Sequence, residues 1–252
     1  MDVYGIIGFP LGHSFSQRYF TEKFERAGIV QARYDRFPLA DIAAFPALLA
    51  GQPELRGLNV TIPYKVAVLS YLDALDETAR AVGAVNTIRI RAGHLKGYNT
   101  DVIGFERSLQ AWLTGMGRLP AQPGAMKALI LGTGGASKAV AWVLEKMDIA
   151  YAFVSRWPAG GNQLGYPDLP GLLAGYALIV NTTPLGTYPA VENCPEVPFQ
   201  QIDERHLVYD LVYNPAETLL LQRAKTRGAA IKNGLEMLQL QAEAAWDIWQ
   251  QP

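Results

Sequence analysis

The sequence predicts an α/β protein made of two units, in which a mostly parallel sheet is covered by helices. Strand-like and helix-like runs alternate along nearly the whole chain, as they do in parallel sheets. A glycine-rich turn, GTGG at 132–135, stands between a strand-like and a helix-like run. A glycine- and proline-rich stretch at 114–126 is typical of a surface connection. The two units are expected to divide near a helix that begins at Thr100.

The first part of the chain alternates short apolar runs with amphipathic runs, from which we predict its elements in order. Pro63 is suited to the start of a helix, because its fixed backbone angle and missing N–H cost little there. The predicted elements are VYGIIG (strand), SQRYFTEKFERAG (helix), ARYDRFP (extended), GLNVT (buried strand), PYKVAVLSYL (helix), DETARAVG (helix) and VNTIRIR (strand), then a turn at AGHLKG.

The second part has the same alternation, and its last helix closes the chain. The predicted elements are NTDVIGFERSLQAWL (helix), KALIL (strand), ASKAVAWVLEKM (helix), YAFVSR, ALIVN and HLVYDLVY (strands), NPAETLLLQRAKTRG (helix), AIKNG (edge strand) and LEMLQLQAEAAWDIWQ (helix).

The composition excludes several classes of function. Half of the 252 residues are hydrophobic and the net charge is −1, which gives no electrostatic basis for binding nucleic acid or an anionic membrane. Cys194 is the single cysteine and the three histidines lack metal-ligand spacing, so no disulfide and no metal site are expected. The N-terminus does not resemble a signal peptide, and no apolar run reaches the roughly 20 residues that span a bilayer. We expect a cytoplasmic protein.

The glycine turn predicts a dinucleotide site. Gly132 allows a sharp turn, Gly134 allows close approach of a pyrophosphate, and the helix after Gly135 offers free N–H groups. Ser137 stands where the third glycine of such motifs is usual. A tight turn that binds nothing is the alternative interpretation.

The next strand-like run indicates which dinucleotide is bound. A carboxylate there would bind an unphosphorylated ribose, whereas YAFVSR ends in Ser155 and Arg156. A hydroxyl and a guanidinium suit a 2′-phosphate, so NADP is favoured over NAD, although Arg156 could simply be a solvated arginine. The loop TTPLGTYP is expected to line the nicotinamide side.

Polar residues cluster where the strands of the first unit end. Ser14 and Ser16 would point to the same side of an extended chain and could share one anionic group. Helix capping is the alternative for Ser16 and for Thr61. Asn86 stands in an apolar run and would need hydrogen-bond partners if buried. The segments are GHSFS, NVTIPYK with Asn59, AVNTI, and YNTD with Asn99 and Asp101.

Lys65 is the most unusual residue of this cluster. It falls in the first turn of the helix predicted from Pro63, where the helix dipole disfavours a positive charge. Locally unfavourable residues often mark functional positions. A Lys65–Asp101 pair could move a proton to and from a substrate hydroxyl. The alternatives are a solvated lysine, and an Asp101 that only favours its helix dipole.

In this order the motifs resemble the shikimate dehydrogenase family over nearly the whole chain. Members have an N-terminal substrate domain and a Rossmann domain, and their closing helices pack back on the first. The resemblance implies a substrate domain at 1–100 and 234–252 and an NADP domain at 101–233. It also implies reduction of 3-dehydroshikimate by NADPH in aromatic amino-acid biosynthesis, in a monomer or homodimer. The matching blocks are GFPLGHSFS, NVTIPYK, GAVNTI, GYNTD, GTGGASKAV, NTTPLG, YDLVYNP and NGLEMLQLQA.

The resemblance also implies roles for individual residues. Lys65 would transfer the proton with Asp101 as its partner, and Ser14, Ser16 and Tyr213 would bind the substrate carboxylate. The ring hydroxyls would be bound by Thr61, Asn86, Asp101 and Gln241, and Asn59 would also belong to the substrate site. The cofactor would be bound by Gly132, Gly134, Gly135 and Ala136 at the pyrophosphate, Ser155 and Arg156 at the 2′-phosphate, Leu211 and Gly234 at the nicotinamide, and Glu77 nearby.

Two departures from the family pattern stand out. Gln17 replaces a common proline, and the adenosine loop reads SRWPAGGNQ with one arginine, where NADP-using members commonly read Asn-Arg-Thr followed by another basic residue. Trp157 in this loop could stack on adenine or pack on its own domain. Other interpretations are the same chemistry on quinate with NAD or on aminoshikimate, a non-catalytic ligand sensor, and a folate- or glutamate-type dehydrogenase.

Overall fold

The computed structural model describes residues 1–12, 15–122 and 124–251. These residues form two compact units, one of Met1–Ile103 with Gln241–Pro252 and the other of Gly104–Leu240. Ser14 lies outside the described residues. Within the described part of the chain, no helix combines the length and the apolar character that crossing a membrane requires.

The first unit is built on a six-stranded sheet with the order β2-β1-β3-β5-β6-β4. Strands β2, β1 and β3 are parallel, β3, β5 and β6 are antiparallel, and β4 is parallel to β6. Its elements are β1 (Asp2–Gly8), α1 (Phe15–Arg26), β2 (Ala32–Pro38), α2 (Phe45–Gly51), β3 (Leu55–Val60), β4 (Ala74–Leu75), α3 (Glu77–Val82), β5 (Thr87–Arg91) and β6 (His94–Tyr98).

The stretch predicted only as a turn, AGHLKG, is mostly strand. The turn itself is confined to Ala92 and Gly93, both of which have positive φ angles. Two consecutive residues of this kind are typical of a tight hairpin turn. The residues from His94 onward are therefore free to pair with β5 as strand β6.

The helix predicted from Pro63 is not formed. Residues after β3 make turns, and a short 3-10 helix follows only at Ala67–Tyr71. The Lys65 carbonyl accepts a hydrogen bond from Val85 N at 2.8 Å, while Leu69 N, which an α-helix would direct to Lys65, bonds to the Val66 carbonyl. A tertiary hydrogen bond thus replaces the helical one. Lys65 does not stand in the first turn of a helix, and the dipole argument for it was wrong.

Both faces of the first sheet carry buried side chains. In a strand such as β1, successive side chains point to opposite faces of the sheet. Val3 and Ile7 belong to one core cluster, whereas Tyr4 and Ile6 belong to another on the opposite face. The last helix, α7 (Leu235–Gln250), contributes to the second cluster. Its Trp249 donates from Nε1 to the Ile88 carbonyl at 3.0 Å. The C-terminal helix therefore packs back on the first sheet, as predicted.

The second unit contains a fully parallel six-stranded sheet. Its order is β9-β8-β7-β10-β11-β12, which is the 3-2-1-4-5-6 order of dinucleotide-binding folds. The direction in which strands are added changes at β7: β8 and β9 lie on one side of it, and β10, β11 and β12 lie on the other. Helix α4 (Thr100–Gly115) begins in the first unit and continues into the second, and α7 begins in the second and ends in the first. The other elements of the second unit are β7 (Lys127–Leu131), α5 (Gly135–Lys146), β8 (Ala150–Ser155), β9 (Gln163–Gly165), β10 (Leu178–Asn181), β11 (Leu207–Asp210), α6 (Leu219–Thr226) and β12 (Ala230–Asn233).

Helix α6 begins five residues later than the predicted Asn214. Thr218 is its N-cap, and the Thr218 side chain accepts a hydrogen bond from Leu221 N at 3.4 Å. The preceding residues form the connection from β11, so the helix starts where a capping side chain is available.

Candidate active site

Lys65 and Asp101 form an ion pair in the first unit. The Lys65 Nζ lies 2.6 Å from Asp101 Oδ2, and the two side chains are 17% and 10% exposed. Asp101 occupies the first turn of α4, where the positive end of the helix dipole favours a carboxylate. The predicted contact between these two residues is confirmed, and the interpretation of Lys65 as a solvated lysine is wrong.

Asn86 holds the other oxygen of the same carboxylate. Its Nδ2 donates to Asp101 Oδ1 at 2.9 Å and to Thr100 Oγ1 at 3.0 Å, and its Oδ1 accepts from Thr100 N at 2.7 Å. Asn86 is buried and has the partners that its burial was predicted to require. Gln241 Oε1 lies 3.4 Å from both Asn86 Nδ2 and Thr100 Oγ1. The Asp101 carboxylate is thus fixed on both sides.

A second buried layer supports this arrangement. Tyr34 donates from its hydroxyl to Asn59 Oδ1 at 2.7 Å, and Asn59 Nδ2 donates to Thr87 Oγ1 at 3.2 Å. The hydroxyls of Thr87 and Thr100 are 3.1 Å apart. Hydrogen bonds therefore connect Tyr34 to the residue that precedes Asp101.

The sequence interpretation missed Tyr34, Thr87 and Thr100 as parts of the site. Tyr34 lies between the charged residues Arg33 and Asp35 of β2, so alternation of side chains along a strand could have indicated that it points inward. Burial raises the pKa of Tyr34 well above its ordinary value, with a smaller opposing effect from a hydrogen bond to Ser16. The phenol is therefore a neutral hydrogen-bonding group.

Of the two predicted substrate-binding serines, only Ser16 is among the described residues. Ser14 lies outside the described residues, while Ser16 is buried in the first turn of α1. Because α1 begins at Phe15, Ser16 does not precede the helix as its predicted capping role required. Thr61 is half-buried after β3, and no α-helix follows for it to cap.

We expect the substitution Tyr34→Phe to lower the free energy of unfolding by about 1–3 kcal/mol, because it leaves the buried Asn59 Oδ1 without its short hydrogen bond. Urea unfolding measures this difference. Tyr151→Phe is the matched control, since the Tyr151 hydroxyl donates to the surface residue Glu145 and its loss should change stability by less than about 0.5 kcal/mol. Equal effects of the two substitutions would contradict the prediction.

The glycine turn of the second unit joins β7 to α5. Gly132 has a φ of +105°, and an added Cβ would lie 2.9 Å from Thr182 Oγ1. Gly134 is the N-cap of α5 and has no side chain with which to cap the helix, and the space beside it is open. The first N–H groups of α5, at Gly135 and Ala136, therefore suit an anionic group such as a pyrophosphate.

Ser137 fits the position of the third motif glycine. It is buried, and its Oγ donates to the Gly134 carbonyl at 2.6 Å. A small side chain here keeps the helix close to the sheet while it fastens the turn, so the departure from glycine does not disrupt the turn.

Ser155 and Arg156 lie beside this turn. Gly132 N donates to the Val154 carbonyl at 2.8 Å, so the end of β8 is adjacent to the end of β7. Arg156 is exposed, and Ser155 Oγ accepts from Trp157 N at 3.1 Å. A hydroxyl and a guanidinium therefore stand at the sheet edge where the ribose of a dinucleotide is held in this fold.

Asp210 is a buried carboxyl that the sequence interpretation did not single out. It accepts hydrogen bonds from Asn181 Nδ2 at 2.8 Å, Thr218 Oγ1 at 2.5 Å and Val212 N at 3.0 Å. Burial raises its pKa to about 6, against the lowering effect of these hydrogen bonds. It fastens the loops that follow β10 and β11 and the start of α6, all at the carboxyl edge of the sheet.

The remaining predicted residues are placed as follows. Gly234 lies directly against the Leu211 carbonyl, and a Cβ at this position would overlap that carbonyl group. Tyr213 is half-buried after β11, and Glu77 is exposed at the start of α3 in the first unit. Their proposed roles toward ligands stay predictions. The described residues include no cluster of three or more His, Cys, Asp or Glu side chains able to hold a metal ion.

The parallel sheet with its 3-2-1-4-5-6 order, the glycine turn and the uncapped start of α5 define a protein of the Rossmann-type, dinucleotide-binding class. A family model described as the shikimate dehydrogenase substrate binding domain matches residues 6–88. A shikimate dehydrogenase (NADP(+)) of Geobacillus kaustophilus strain HTA426 is 36% identical over 262 residues, covering 98% of this chain and 92% of that protein. The chain belongs to the shikimate dehydrogenase family.

Solved structures show the same fold. Shikimate 5-dehydrogenase of Thermus thermophilus, crystallised with NADP(H) and shikimate, has a TM-score of 0.83 and 31% identity, covering 99% of this chain and 94% of that one. The 5-ketofructose reductase of Gluconobacter sp. strain CHM43 has a TM-score of 0.79 and 28% identity, covering 99% and 92%. Since a reductase of another name shares the fold, the substrate must be argued from the site.

Proposed function

We propose that this chain catalyses the reversible, NADP-dependent reduction of 3-dehydroshikimate to shikimate, a step of aromatic amino-acid biosynthesis. The observation that carries this proposal is the 2.6 Å contact of Lys65 with Asp101, in a chain that belongs to the shikimate dehydrogenase family. The named activity of the relatives and the ligands in the Thermus thermophilus structure support it.

The two ligands are assigned to different parts of the chain. The substrate belongs to residues 1–100 and 234–252, which include the segment matched by the substrate-domain model. The dinucleotide belongs to residues 101–233, which include the glycine turn. In the first part, Ser14 and Ser16 bind the substrate carboxylate. The ring hydroxyls are bound by Thr61, Asn86, Asp101 and Gln241.

Asn59 has a different role in this proposal from direct contact with substrate. Both ends of its amide already hydrogen-bond to Tyr34 and Thr87. It therefore supports the segment that carries Asn86 and Asp101, and its effect on substrate binding is indirect.

Lys65 transfers the proton. When bound, NADPH supplies the hydride that reaches the carbonyl carbon of the substrate. The Lys65 ammonium donates a proton to the oxygen of that carbonyl, which becomes the hydroxyl, and the neutral amine regains a proton from water. In the oxidation direction the amine removes the hydroxyl proton. Asp101 holds Nζ at the reacting oxygen, and Asn86 holds Asp101 in place.

The cofactor is held by the backbone of the glycine turn and by several residues outside that turn. Gly132, Gly134, Gly135 and Ala136 bind the pyrophosphate, and Ser155 and Arg156 bind the 2′-phosphate. Leu211 and Gly234 border the nicotinamide. The uncapped start of α5 fits this assignment, since its N–H groups attract an anion.

An absorbance assay at the reduced-nicotinamide band tests the proposal. The enzyme is offered shikimate or quinate with NADP or NAD, and we expect the fastest reduction of the dinucleotide with shikimate and NADP. Faster turnover of quinate with NAD would indicate instead that the chain performs the same chemistry on quinate. Ligand binding without turnover of any pair would indicate a sensor and contradict the proposal.

Assembly and location are part of the same proposal. We assign a monomer or homodimer in the cytoplasm, where the single thiol of Cys194 would stay reduced. Light scattering during size-exclusion chromatography distinguishes these two states from larger oligomers, and cell fractionation tests the location.

A further inference from the structure

Trp157 is a large apolar side chain that the second unit leaves in solvent. It is 84% exposed, whereas the other four tryptophans are buried or half-buried. Packing on its own domain was one of the two interpretations of this residue, and the exposure excludes it. A single exposed apolar side chain is common on protein surfaces, so the surroundings of Trp157 decide whether it can bind a ligand.

The position of Trp157 indicates what binds. The hydrogen bond from Gly132 N to the Val154 carbonyl, at 2.8 Å, sets the end of β8 beside the glycine turn. Ser155, Arg156 and Trp157 therefore leave the sheet consecutively at the edge that holds the adenosine half of a dinucleotide in this fold. The tryptophan lies two residues beyond the serine assigned to the 2′-phosphate.

The loop that carries the indole is fastened at both ends. Trp157 N donates to Ser155 Oγ at 3.1 Å, and Ala159 N donates to Gln163 Oε1 at 3.1 Å. Asn162 closes the loop, since its carbonyl accepts from Phe153 N at 3.0 Å and its Nδ2 donates to the Tyr151 carbonyl at 2.6 Å. Little ordering of the backbone is then required when a ligand meets the indole, which favours binding.

We infer that the indole of Trp157 stacks on the adenine of the dinucleotide, which rests on the proposed NADP-dependent function. Stacking of a base on an aromatic side chain typically strengthens binding by about tenfold or more. This loop has one arginine, Arg156, and no second basic residue before Gly165. The stacked indole would supply affinity that a second cation would otherwise provide, and it would act on NADP and NAD alike.

The adenine contact and the 2′-phosphate contact can be measured separately with two ligands that lack nicotinamide, ADP-ribose and its 2′-phosphate. Calorimetry gives the affinity for each. Trp157→Ala should weaken both by about tenfold. Arg156→Ala should weaken only the 2′-phosphorylated ligand. Trp157→Phe should retain most of the affinity but lose the quenching of tryptophan fluorescence on binding, because the aromatic face remains and the indole does not.

Trp142→Phe is the matched control, since Trp142 lies on α5 near Lys146 and should change neither affinity nor quenching. An affinity of Trp157→Ala within twofold of the unsubstituted protein overturns the inference, and so does failure of the unsubstituted protein to bind the 2′-phosphorylated ligand. If both ligands bind as expected but shikimate is not oxidised, the stacking stands and the proposed substrate is wrong.

Discussion

Replacing Lys65 by methionine is expected to lower kcat for shikimate oxidation by about 10²–10⁴-fold, the usual contribution of a positioned acid–base group. Methionine approximates the length of lysine but carries no transferable proton. Lys65 Nζ is 2.6 Å from Asp101 Oδ2, and the Lys65 side chain is 17% exposed, so the lysine is held in place but not fully buried. Initial rates over a range of shikimate concentrations give kcat and KM separately, and we expect KM to change much less than kcat.

The decrease in kcat should be specific to the ion pair of Lys65 and Asp101. Lys225 is a suitable control, because it pairs with Glu217 at 2.7 Å on the surface of the second unit and is 59% exposed. Lys225→Met should leave kcat unchanged. Asp101→Asn should lower kcat as well, since an amide no longer holds the ammonium by charge. A Lys65→Met enzyme that folds and turns over at a near-normal rate would end the proton-transfer role.

The pairing of Lys65 with Asp101 could be predicted from the sequence, but the local reason offered for it was wrong. The helix expected from Pro63 would have placed the amine at a positive dipole end. Instead the Lys65 carbonyl bonds to Val85 N, which lies 20 residues further along the chain. Helix signals in the sequence are local, and they do not include a competing hydrogen bond from a distant segment.

The buried hydrogen-bonded layer of Tyr34, Asn59 and Thr87 could not be predicted from the sequence. Asn59 and Thr87 face each other because β3 and β5 pair antiparallel in one particular register. The position of Tyr34 beside Asn59 depends in turn on the parallel pairing of β1 with both β2 and β3. The period of a strand predicts which face a residue occupies, but not which strand lies next to it.

The dinucleotide unit was easier to predict because its signal is contiguous. Strand, glycine turn and helix follow one another within 127–146, and the structure forms them as β7 and α5. Asp210 was not predicted as a site residue, because its side-chain hydrogen-bond partners are distant from it in the sequence. In the sequence it is one polar residue inside the apolar run HLVYDLVY, and only the fold ends the strand there and brings Asn181 and Thr218 to it.

That buried carboxyl leads to the second large effect, a loss of stability as the pH rises. Asp210 has a pKa of about 6 in the folded protein against an ordinary value of 3.8. Below pH 3.8 both states hold the proton, and the contribution of Asp210 is at its most favourable. Between these values the unfolded chain ionises and the folded one does not, so the free energy of unfolding falls. The fall is about 3 kcal/mol once the pH passes 6.

Asp210→Asn removes this dependence because an amide does not ionise. Any change in hydrogen bonding to Thr218 and Asn181 shifts the stability of the variant by a similar amount at every pH. We therefore expect the free energy of unfolding of Asp210→Asn, minus that of the unsubstituted protein, to increase by about 2 kcal/mol from pH 4 to pH 7. Urea unfolding across this range measures the difference.

Thr218 provides an internal check on the cause. Its hydroxyl donates to Asp210 Oδ2 at 2.5 Å and lowers the pKa of that carboxyl. Thr218→Val should therefore extend the fall in stability to higher pH and make it larger, while its onset near pH 3.8 stays in place. Thr218→Ser, which keeps the hydroxyl, should leave the fall unchanged. If Asp210→Asn and the unsubstituted protein instead give parallel curves, Asp210 ionises equally in both states and burial does not control its charge.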